Sequence, residues 1–513
     1  MSIFKRWLTA TSHDPARQPL LSPRKRVVSE DDVLEVQEAP ATTPLPYRQI
    51  VVLCFMRITE PISQSLIHPF INQMLEDLHV TPDRTKIGYY AGIITSLFAF
   101  AQLCTSKSQK LHKSEEVQPI LLSGLTGLAV SIISLSLQTS FAGMVVARCV
   151  AGVMNGNLPI LQSVLAEITD ETNKARYVSM ISTRAVGIII GPLIGGYLAK
   201  PASQYPEYFG KIQFLIDYPY FLPCFIAGMI NLSAVTVGFF FLKETLPSKT
   251  NVRNLPLDNE SDEEVEEPDS QPEEIASQPK PKFSALFTPT VISVLLGSLL
   301  VFFQMSSLAT LIPLFAYTRF EDGGLGLNLR QMGTALTTNG FAAVIVQTAT
   351  FPYLQRRWGT MKLFRSVLLI WPLVFALLPM IRWVVKQQRD VSGIDAGSKA
   401  AMVGLIFVLA IKSFGKMSIV CLTLLVNSAA PSASTFGALN GLAQSCSELA
   451  RTFAPFITGA IFSISIKQQY LNGNLIWLCG LLLSCLTLFF AQTIKIQPTQ
   501  VRKKSSAQGP STS

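Results

Sequence analysis

The feature that most constrains this chain is a series of apolar segments of about 20 residues each, separated by short polar connections. A helix of that length rises about 30 Å and crosses the hydrocarbon core of a bilayer. Helices also satisfy their own backbone hydrogen bonds, which lipid requires. We expect spans at 50–74, 86–106, 117–137, 141–165, 176–199, 219–242, 288–318, 329–352, 362–385, 400–427, 434–465 and 474–493.

The composition is that of a membrane protein. Of the 513 residues, 49% are hydrophobic and only 15% are charged, whereas roughly 25% are charged in an average soluble domain. Residues 1–49 are polar and contain prolines, so we expect no cleavable signal and a first helix that acts as its own signal. The expected fold class is an all-α membrane protein with 12 transmembrane helices in two pseudo-symmetric six-helix halves.

The distribution of basic residues predicts the orientation. If the N-terminus is cytoplasmic, the cytoplasmic connections and tails hold most of the loop Lys and Arg, as the positive-inside rule requires. We therefore expect a multi-pass protein with both termini in the cytoplasm, in a vacuolar or plasma membrane. Anionic lipid headgroups then explain the net charge of +9, and no nucleic-acid partner is needed.

The chain divides at its middle. Ten acidic residues lie between Asp258 and Glu274, and such a polar, charged segment predicts a disordered linker. Ser261 in this linker and Ser29 in the N-terminal tail are followed by acids, so either a kinase acts there or these segments are simply solvated. The expected domains are a cytoplasmic tail at 1–49, a six-helix half at 50–242, the acidic linker at 243–287, a second half at 288–493 and a C-terminal tail at 494–513.

Two short sequence matches predict that the halves are repeats. The second span reads "GYYAGIITSLFAFAQ" and the eighth reads "GTALTTNGFAAVIVQ", while the fifth contains "GPLIGG" and the eleventh "APFITG". These matches fall at equivalent ordinal positions of the two halves. They favour a parallel repeat about an axis along the membrane normal, with a substrate site near the midplane and alternating access by rocking.

Catalytic and metal-binding motifs are missing from the sequence. There is no P-loop, no H-E-x-x-H and no G-x-S-x-G, which argues against an enzyme or an ATP-driven pump. The four histidines are far apart and lack ligand spacing, so we expect no metal site and no cofactor.

The first span contains a pair of opposite charges, Arg57 and Glu60, followed by Pro61. Residues three apart share a helix face and can pair, and Glu60 lies roughly 15 Å into the span. Charges at that depth usually face a cavity or a partner. Either Glu60 binds a coupling proton, with burial and Arg57 acting on its affinity in opposite directions, or the two residues form a permanent ion pair that fixes helix packing.

Further polar residues lie within the expected spans. Glu448 and Arg451 repeat the three-residue charge spacing. The amides Asn440 and Gln444 lie earlier on nearly the same helix face. Each lone amide either lines the cavity or forms a helix–helix hydrogen bond. The substrate-cavity candidates are Asn155, Asn157, Arg184, Gln304, Asn339, Lys412, Asn440, Gln444, Glu448 and Arg451.

Cations outnumber acids among the deep charges. The cations are Arg57, Arg148, Arg184, Lys412, Lys416 and Arg451, against Glu60 and Glu448. If most of them face one cavity, its field favours an anionic or zwitterionic substrate.

The segments "FMRITEPISQSLIHPFINQMLEDLHV", "RCVAGVMNGNLPILQSVLAEITDETNKAR", "GIIIGPLIGGYL", "PYLQRRWGTMKLFR" and "ALNGLAQSCSELARTFAP" carry a family resemblance. They resemble the major facilitator superfamily, in its twelve-helix tetracycline-resistance-like branch, and within it the fungal relatives of zinc-induced-facilitator-like transporters. The resemblance implies a monomeric secondary transporter of a small molecule that is coupled to protons. The family's helix-four arginine motif falls on Arg148, which is therefore a further candidate for proton coupling. Its helix-five antiporter motif falls on Gly187, Gly191, Pro192, Gly195 and Gly196, whose small side chains also allow close packing.

One loop departs from the family pattern. Between the second and third spans the family carries a latch with an acid and arginines, whereas this chain reads "SKSQKLHKSEEVQP". Leu111 is kept, and Lys113 stands about where the acid belongs. The second-half counterpart, with Arg356, Arg357 and Gly359, is intact. The alternative to a transporter is therefore a non-transporting sensor or adaptor with the same fold.

Overall fold

The computed structural model describes residues 47–109, 117–155, 183–242, 288–429 and 436–494, and the regular structure within these ranges is helical, without strands. The main helix in each expected span carries a label. The first six are Tyr47–Ser65 (α1), Ile87–Gln109 (α2), Val117–Ser136 (α3), Phe141–Met154 (α4), Thr183–Leu198 (α5) and Phe221–Phe241 (α6). The others are Pro289–Tyr317 (α7), Leu329–Ile345 (α8), Ile370–Ser392 (α9), Ile394–Gly415 (α10), Phe436–Lys467 (α11) and Leu475–Thr493 (α12).

Shorter helices continue or connect the labelled ones. Three of them, Pro201–Gln204, Pro206–Phe209 and Gln213–Asp217, form the connection between α5 and α6. A π-helical turn at Val346–Thr350 extends α8. The remaining ones are Ile71–Asp77, Arg84–Lys86, Phe351–Trp358, Thr360–Leu368 and Met417–Ala429.

Eight helices in the described ranges are long and apolar enough to cross a membrane, and two more, Phe141–Met154 and Arg184–Leu198, are apolar but shorter. α1 is more polar because it contains Arg48, Arg57 and Glu60, and α8 has 17 residues. The structure thus supports a multi-pass helical protein. Twelve crossings stay a prediction.

The first span is not the continuous helix that the sequence predicts over 50–74. α1 ends at Ser65, turns follow, and the helix resumes at Ile71–Asp77. Pro69 has no backbone N–H to donate to the carbonyl of Ser65, so the α-helical ladder stops there. The predicted span 400–427 lies within one long apolar helix, Ile394–Ala429, in which Lys416 alone separates α10 from Met417–Ala429.

Helix contacts repeat between the two sets of six. α1 packs against α5 as α7 packs against α11, α2 against α4 as α8 against α10, and α3 against α6 as α9 against α12. The two sets meet where α2 packs on α11 and α5 packs on α8. This is the pattern expected of a parallel repeat. We call α1–α6 the first half and α7–α12 the second half.

Glycines of α5 bring it into close contact with α1. A Cβ on Gly187 would lie 2.6 Å from the carbonyl oxygen of Ile58, one on Gly191 would lie 2.7 Å from that of Ile62, and one on Gly195 would overlap the carbonyl oxygen of Leu66. The next residue, Gly196, faces the other half, where a Cβ would lie 2.6 Å from the Cα of Gly333 on α8. Small residues here let α5 contact α1 and α8 closely.

The halves are joined at one end of the bundle, which we call the closed end. It carries the connections 78–86, 199–220 and 318–328. In the described ranges, the hydrogen bonds that join α2 to α11 or α5 to α8 lie between the middle of these helices and the closed end. Further polar contacts between the halves at this end are Asp83–Lys467 at 3.3 Å, Gln204–Arg330 at 2.6 Å and Glu76–Tyr317.

Candidate functional site

Glu60 lies at the centre of a buried polar cluster in the first half. One carboxylate oxygen, Oε1, accepts hydrogen bonds from Gln64 Nε2 at 2.8 Å and from Asn155 Nδ2 at 3.3 Å. The other, Oε2, forms a salt bridge of 3.2 Å with Nη1 of Arg184. Three helices therefore supply partners to one carboxylate: α1, α4 with its capping residue Asn155, and α5.

Each partner is placed by an identifiable local feature. Gln64 is one helical turn after Glu60 and thus on the same face. Asn155 is the C-cap of α4, and its own carbonyl accepts a hydrogen bond from Gln102 at 3.4 Å. Arg184 is brought to α1 by the close packing of the α5 glycines. The side chain of Glu60 is 7% exposed and that of Arg184 is 29% exposed, so the cation lies at the edge of an accessible space.

Glu60 forms a salt bridge with Arg184 on another helix, while the pairing of Glu60 with Arg57 that the sequence suggests stays a prediction. Arg57 itself is buried on α1. Its part in proton coupling stays a prediction.

A second charged cluster lies on α11. Glu448 Oε1 accepts hydrogen bonds from Gln444 Nε2 at 2.6 Å and from Arg451 Nη1 at 3.3 Å. Within the described residues, the other carboxylate oxygen, Oε2, is buried without a hydrogen-bond partner. As with Glu60, the acid is buried while the cation is partly exposed, at 6% and 36% of their side chains. The three-residue spacing had predicted this pair.

Arg148 and Lys412 are buried cations on α4 and α10. Their exposed fractions are 7% and 6%. The guanidinium of Arg148 stacks over the ring of Phe98, with 4.5 Å between its Cζ and the ring centroid. Beside Lys412, the hydroxyl of Ser413 donates to Oδ1 of Asn339 at 3.3 Å. Asn339 on α8 is therefore in contact with α10, and its role in lining a cavity stays a prediction.

Gln304 lies in the contact between α7 and α12. It is fully buried on α7, donates to Thr487 and accepts from Ser484 at 3.3 Å. Both partners belong to α12. The side chain is therefore used in a helix–helix hydrogen bond, the other of the two roles that the sequence allowed for a lone amide.

Several predicted residues lie elsewhere. Asn157, Leu111, Lys113, the linker and the two tails fall outside the described residues. Arg356 and Arg357 are at the end of Phe351–Trp358, away from the clusters above. Gly359 caps that helix with φ of 73°, a left-handed conformation that glycine adopts without strain. Asn440 is half-buried on α11.

Sequence reasoning missed three residues around the candidate site: Gln64 and Phe98, which contact its charged side chains, and His68, on which two of its charges act. Gln64 could have been found from its four-residue spacing to Glu60. His68 could have been found as an ionisable residue within the first span. The sequence analysis considered the histidines only as metal ligands. Phe98 carries no signal of its own, since an aromatic residue in an apolar helix is normally core. In the described ranges, no group of three or more His, Cys, Asp or Glu residues could hold a metal ion.

The sequence is similar to those of known membrane transporters. The sequence model of the Major Facilitator Superfamily matches residues 53–455. The chain is 30% identical over 487 residues to the major facilitator-type transporter psiT2 of Psilocybe cyanescens, covering 89% of this chain and 92% of that protein. It is 28% identical over 425 residues to Protein ZINC INDUCED FACILITATOR-LIKE 1 of Arabidopsis thaliana, covering 82% and 84%.

A solved structure shares the fold. The crystal structure of D-xylose-proton symporter superposes with a TM-score of 0.62 at 12% sequence identity, covering 87% of this chain and 98% of that one. At this identity the likeness concerns the fold alone. It agrees with the repeated helix contacts described above.

Proposed function

Since the chain belongs to the Major Facilitator Superfamily, we propose that it is a proton-coupled secondary transporter that moves its substrate by alternating access. A membrane setting and a small-molecule substrate follow from the family itself. The observation that carries the proton-coupled mechanism is the salt bridge between Glu60 and Arg184. It places an ionisable pair inside the bundle, where such groups are rare and usually functional.

Protonation of Glu60 is the proposed coupling event. The ionised carboxylate accepts hydrogen bonds from Gln64 and Asn155 and a salt bridge from Arg184. A proton removes the negative charge, and with it the electrostatic attraction that holds Arg184. Arg184 is then an unpaired cation within the bundle, which is unfavourable. The pair therefore has two states that a proton can interconvert.

α5 is the element that would transmit this change. It carries Arg184 near one end and packs through Gly191 against α1. Toward the closed end it packs against α8 of the other half, through Gly196 and the hydrogen bond between Tyr197 and Thr334 at 2.9 Å. A shift of α5 on release of Arg184 would thus act on the contact between the halves.

The contacts between the halves support a conformation that is sealed at one end. Polar contacts join the halves at the closed end, and the clusters around Glu60 and Glu448 lie beyond them, toward the other end. If both termini are cytoplasmic, as the Lys and Arg distribution favours, the closed end faces away from the cytoplasm. We assign this conformation to the inward-facing state. Twelve crossings, a vacuolar or plasma membrane and a monomer complete the proposal.

Exchange of substrate against protons is the proposed direction of coupling. It is supported by the α5 segment around Pro192, which resembles the motif of proton-linked antiporters. A sensor or adaptor is not favoured, because the relatives described above are named as transporters or facilitators. A kinase acting on the acidic linker or the N-terminal tail would then regulate transport rather than replace it.

The test is flux driven by an imposed pH gradient. The purified full chain is reconstituted into liposomes, and a panel of small organic anions, zwitterions and cations is followed under a pH gradient of either sign. At least one compound is expected to accumulate against its own gradient and to lose that accumulation when a protonophore is added. Accumulation of no compound, or accumulation that a protonophore leaves unchanged, would contradict proton coupling.

A further inference from the structure

We propose that the acidic segment 258–274 binds to a basic surface on the two short helices between α8 and α9. This basic surface consists of Arg356, Arg357 and Lys362. The partner is thus a named part of the same chain, and the attraction is electrostatic. The proposal goes beyond the transport function and needs neither proton coupling nor a particular substrate.

The basic surface presents three uncommitted cations. It lies on Phe351–Trp358 and Thr360–Leu368, and its three side chains are exposed. Arg356 and Arg357 border an open depression beside Tyr353. Among the described residues, the salt bridges of the chain involve none of these three cations. Their charges are therefore available to a partner.

The basic surface is at the end of the bundle opposite the closed end, which we call the far end. α8 starts beside the connection 318–328 of the closed end and continues through the π-helical turn into Phe351–Trp358. Arg356 therefore lies roughly 40 Å along the helix from Leu329, which is more than the thickness of a hydrocarbon core, about 30 Å. Its charge is outside that core, where a polar partner can reach it.

The far end carries no Asp or Glu within the described ranges. The acids that the structure describes lie at the closed end, apart from Glu60 and Glu448 inside the bundle. The basic surface thus has no counter-charge at its own end in the described part of the chain. Repulsion among its cations favours an acidic partner.

The acidic segment is attached at this same end. α6 begins after the closed-end connection 199–220, and α7 ends before the closed-end connection 318–328. Leu242 and Thr288 are consequently both at the far end, and the chain between them contains the ten acids of 258–274. A tethered segment meets a nearby surface at an effective concentration of about millimolar. Several weak, exposed ion pairs are then enough to hold it.

The tether is long enough for the contact. The carbonyl of Ile494 accepts a hydrogen bond from Arg365 on Thr360–Leu368 at 3.2 Å, and a Cβ on Gly297 of α7 would lie 3.3 Å from Cδ1 of Ile494. The first turns of α7 are thus one helix away from Thr360–Leu368. Residues 275–287 join the acidic segment to Thr288 and can extend to roughly 40 Å, which exceeds two interhelical spacings of about 10 Å each.

Binding at this surface acts on a helix that contacts both halves. α8 meets α5 of the first half through Gly333 and Thr334, and the basic surface is on the continuation of α8. A segment bound there is placed to influence the contact between the halves. Phosphorylation of Ser261 within the segment would add negative charge and strengthen the binding.

Zero-length crosslinking tests the contact in the full chain. Single copies in nanodiscs of phosphatidylcholine with a minor share of phosphatidylserine are treated with a carbodiimide, which joins a carboxylate to a lysine amine when the two are in contact. We expect mass spectrometry of the digested protein to show Lys362 linked to an acid of 258–274. Arg356→Gln/Arg357→Gln should lower the initial rate of this link about fivefold, and high salt should lower it as well.

Lys211 is the control lysine, because it is exposed but lies at the closed end. It should not be linked to the segment, and Lys362→Arg should abolish the far-end link while keeping the charge. The substituted side chains are exposed, so an unchanged Tm checks the fold. No link at Lys362, or an equal rate in the native chain and the double Gln variant, would overturn the proposal. Phosphatidylserine linked to Lys362 in place of the segment would assign the surface to lipid and overturn it too. None of these outcomes bears on proton-driven flux.

Discussion

Glu60 on α1 and Arg184 on α5 form a salt bridge between helices, with 3.2 Å between Oε2 and Nη1. Their positions are 124 residues apart in the sequence, and only the packing of α5 glycines on α1 brings them together. The pair combines a buried acid with a partly exposed cation. We therefore expect the stability of the first half to depend on both charges.

Arg184→Gln is expected to destabilise the protein more than the double variant Glu60→Gln/Arg184→Gln. The single change leaves a buried carboxylate without its counter-charge, which costs several kcal/mol in a closed site. We expect about 1–3 kcal/mol here, because Arg184 is partly exposed to solvent. Unfolding of the purified single and double variants measures the coupling between the two residues. Additive effects would show that the salt bridge contributes nothing.

Gly195→Ala is expected to destabilise the contact between α1 and α5. The new Cβ would overlap the carbonyl oxygen of Leu66, a backbone atom that cannot move without shifting α1. Overpacking of this kind typically costs about 1–3 kcal/mol. Gly437→Ala on α11 is the matched control, since a Cβ there meets nothing within 4 Å. Equal unfolding temperatures for the two variants would contradict the packing role of Gly195.

Gln304→Leu is expected to lower stability without changing which compounds are transported. The substitution leaves the hydroxyls of Thr487 and Ser484 without their amide partner on α7, and each lost buried hydrogen bond costs about 1 kcal/mol. Thr487→Val combined with Gln304→Leu should recover part of the loss. An altered substrate profile in Gln304→Leu would instead place this side chain in the cavity.

Acid is expected to weaken the closed end through Asp83. Hydrogen bonds from the hydroxyl and backbone N–H of Thr85, together with Lys467, hold the pKa of Asp83 below its ordinary value of 3.8. A lowered pKa in the folded state contributes stability above the unfolded pKa and loses it as the pH falls through the folded value. The Tm advantage of the native chain over Asp83→Asn should therefore be constant above about pH 4 and shrink below it.

The control for that experiment is Asp217→Asn at the same end of the bundle. Asp217 accepts a hydrogen bond from Gln213 within its own short helix and makes no described contact with the second half. Its substitution should produce a much smaller pH-dependent difference. Parallel pH profiles for Asp83→Asn and the native chain would show that the contact between Asp83 and Lys467 does not stabilise the closed end.

Much of the fold follows from local sequence pattern. Hydropathy places a helix in every expected span, because about 20 apolar residues suffice to specify one. The matched motifs of α2 with α8 and of α5 with α11 predicted a repeat that the helix contacts display. The break after Ser65 was missed because hydropathy does not register the missing N–H of Pro69.

The candidate site was predicted only in part. Glu448 and Arg451 are on one helix, so their spacing sufficed to predict the contact. The partner of Glu60 is on another helix, and no local pattern reports which residue of α5 faces α1. Gln304 shows the same limit, since its spacing cannot distinguish a cavity from a contact with α12.

The central claim is that protonation of Glu60 couples the proton gradient to transport. The most direct measurement compares native protein and Glu60→Gln in the same liposomes, once for accumulation driven by a pH gradient and once for exchange of labelled against unlabelled substrate without a gradient. The account predicts that Glu60→Gln loses gradient-driven accumulation and keeps exchange, because the amide mimics the protonated acid but cannot release a proton. Accumulation at the native rate and with the native pH dependence in Glu60→Gln would contradict it.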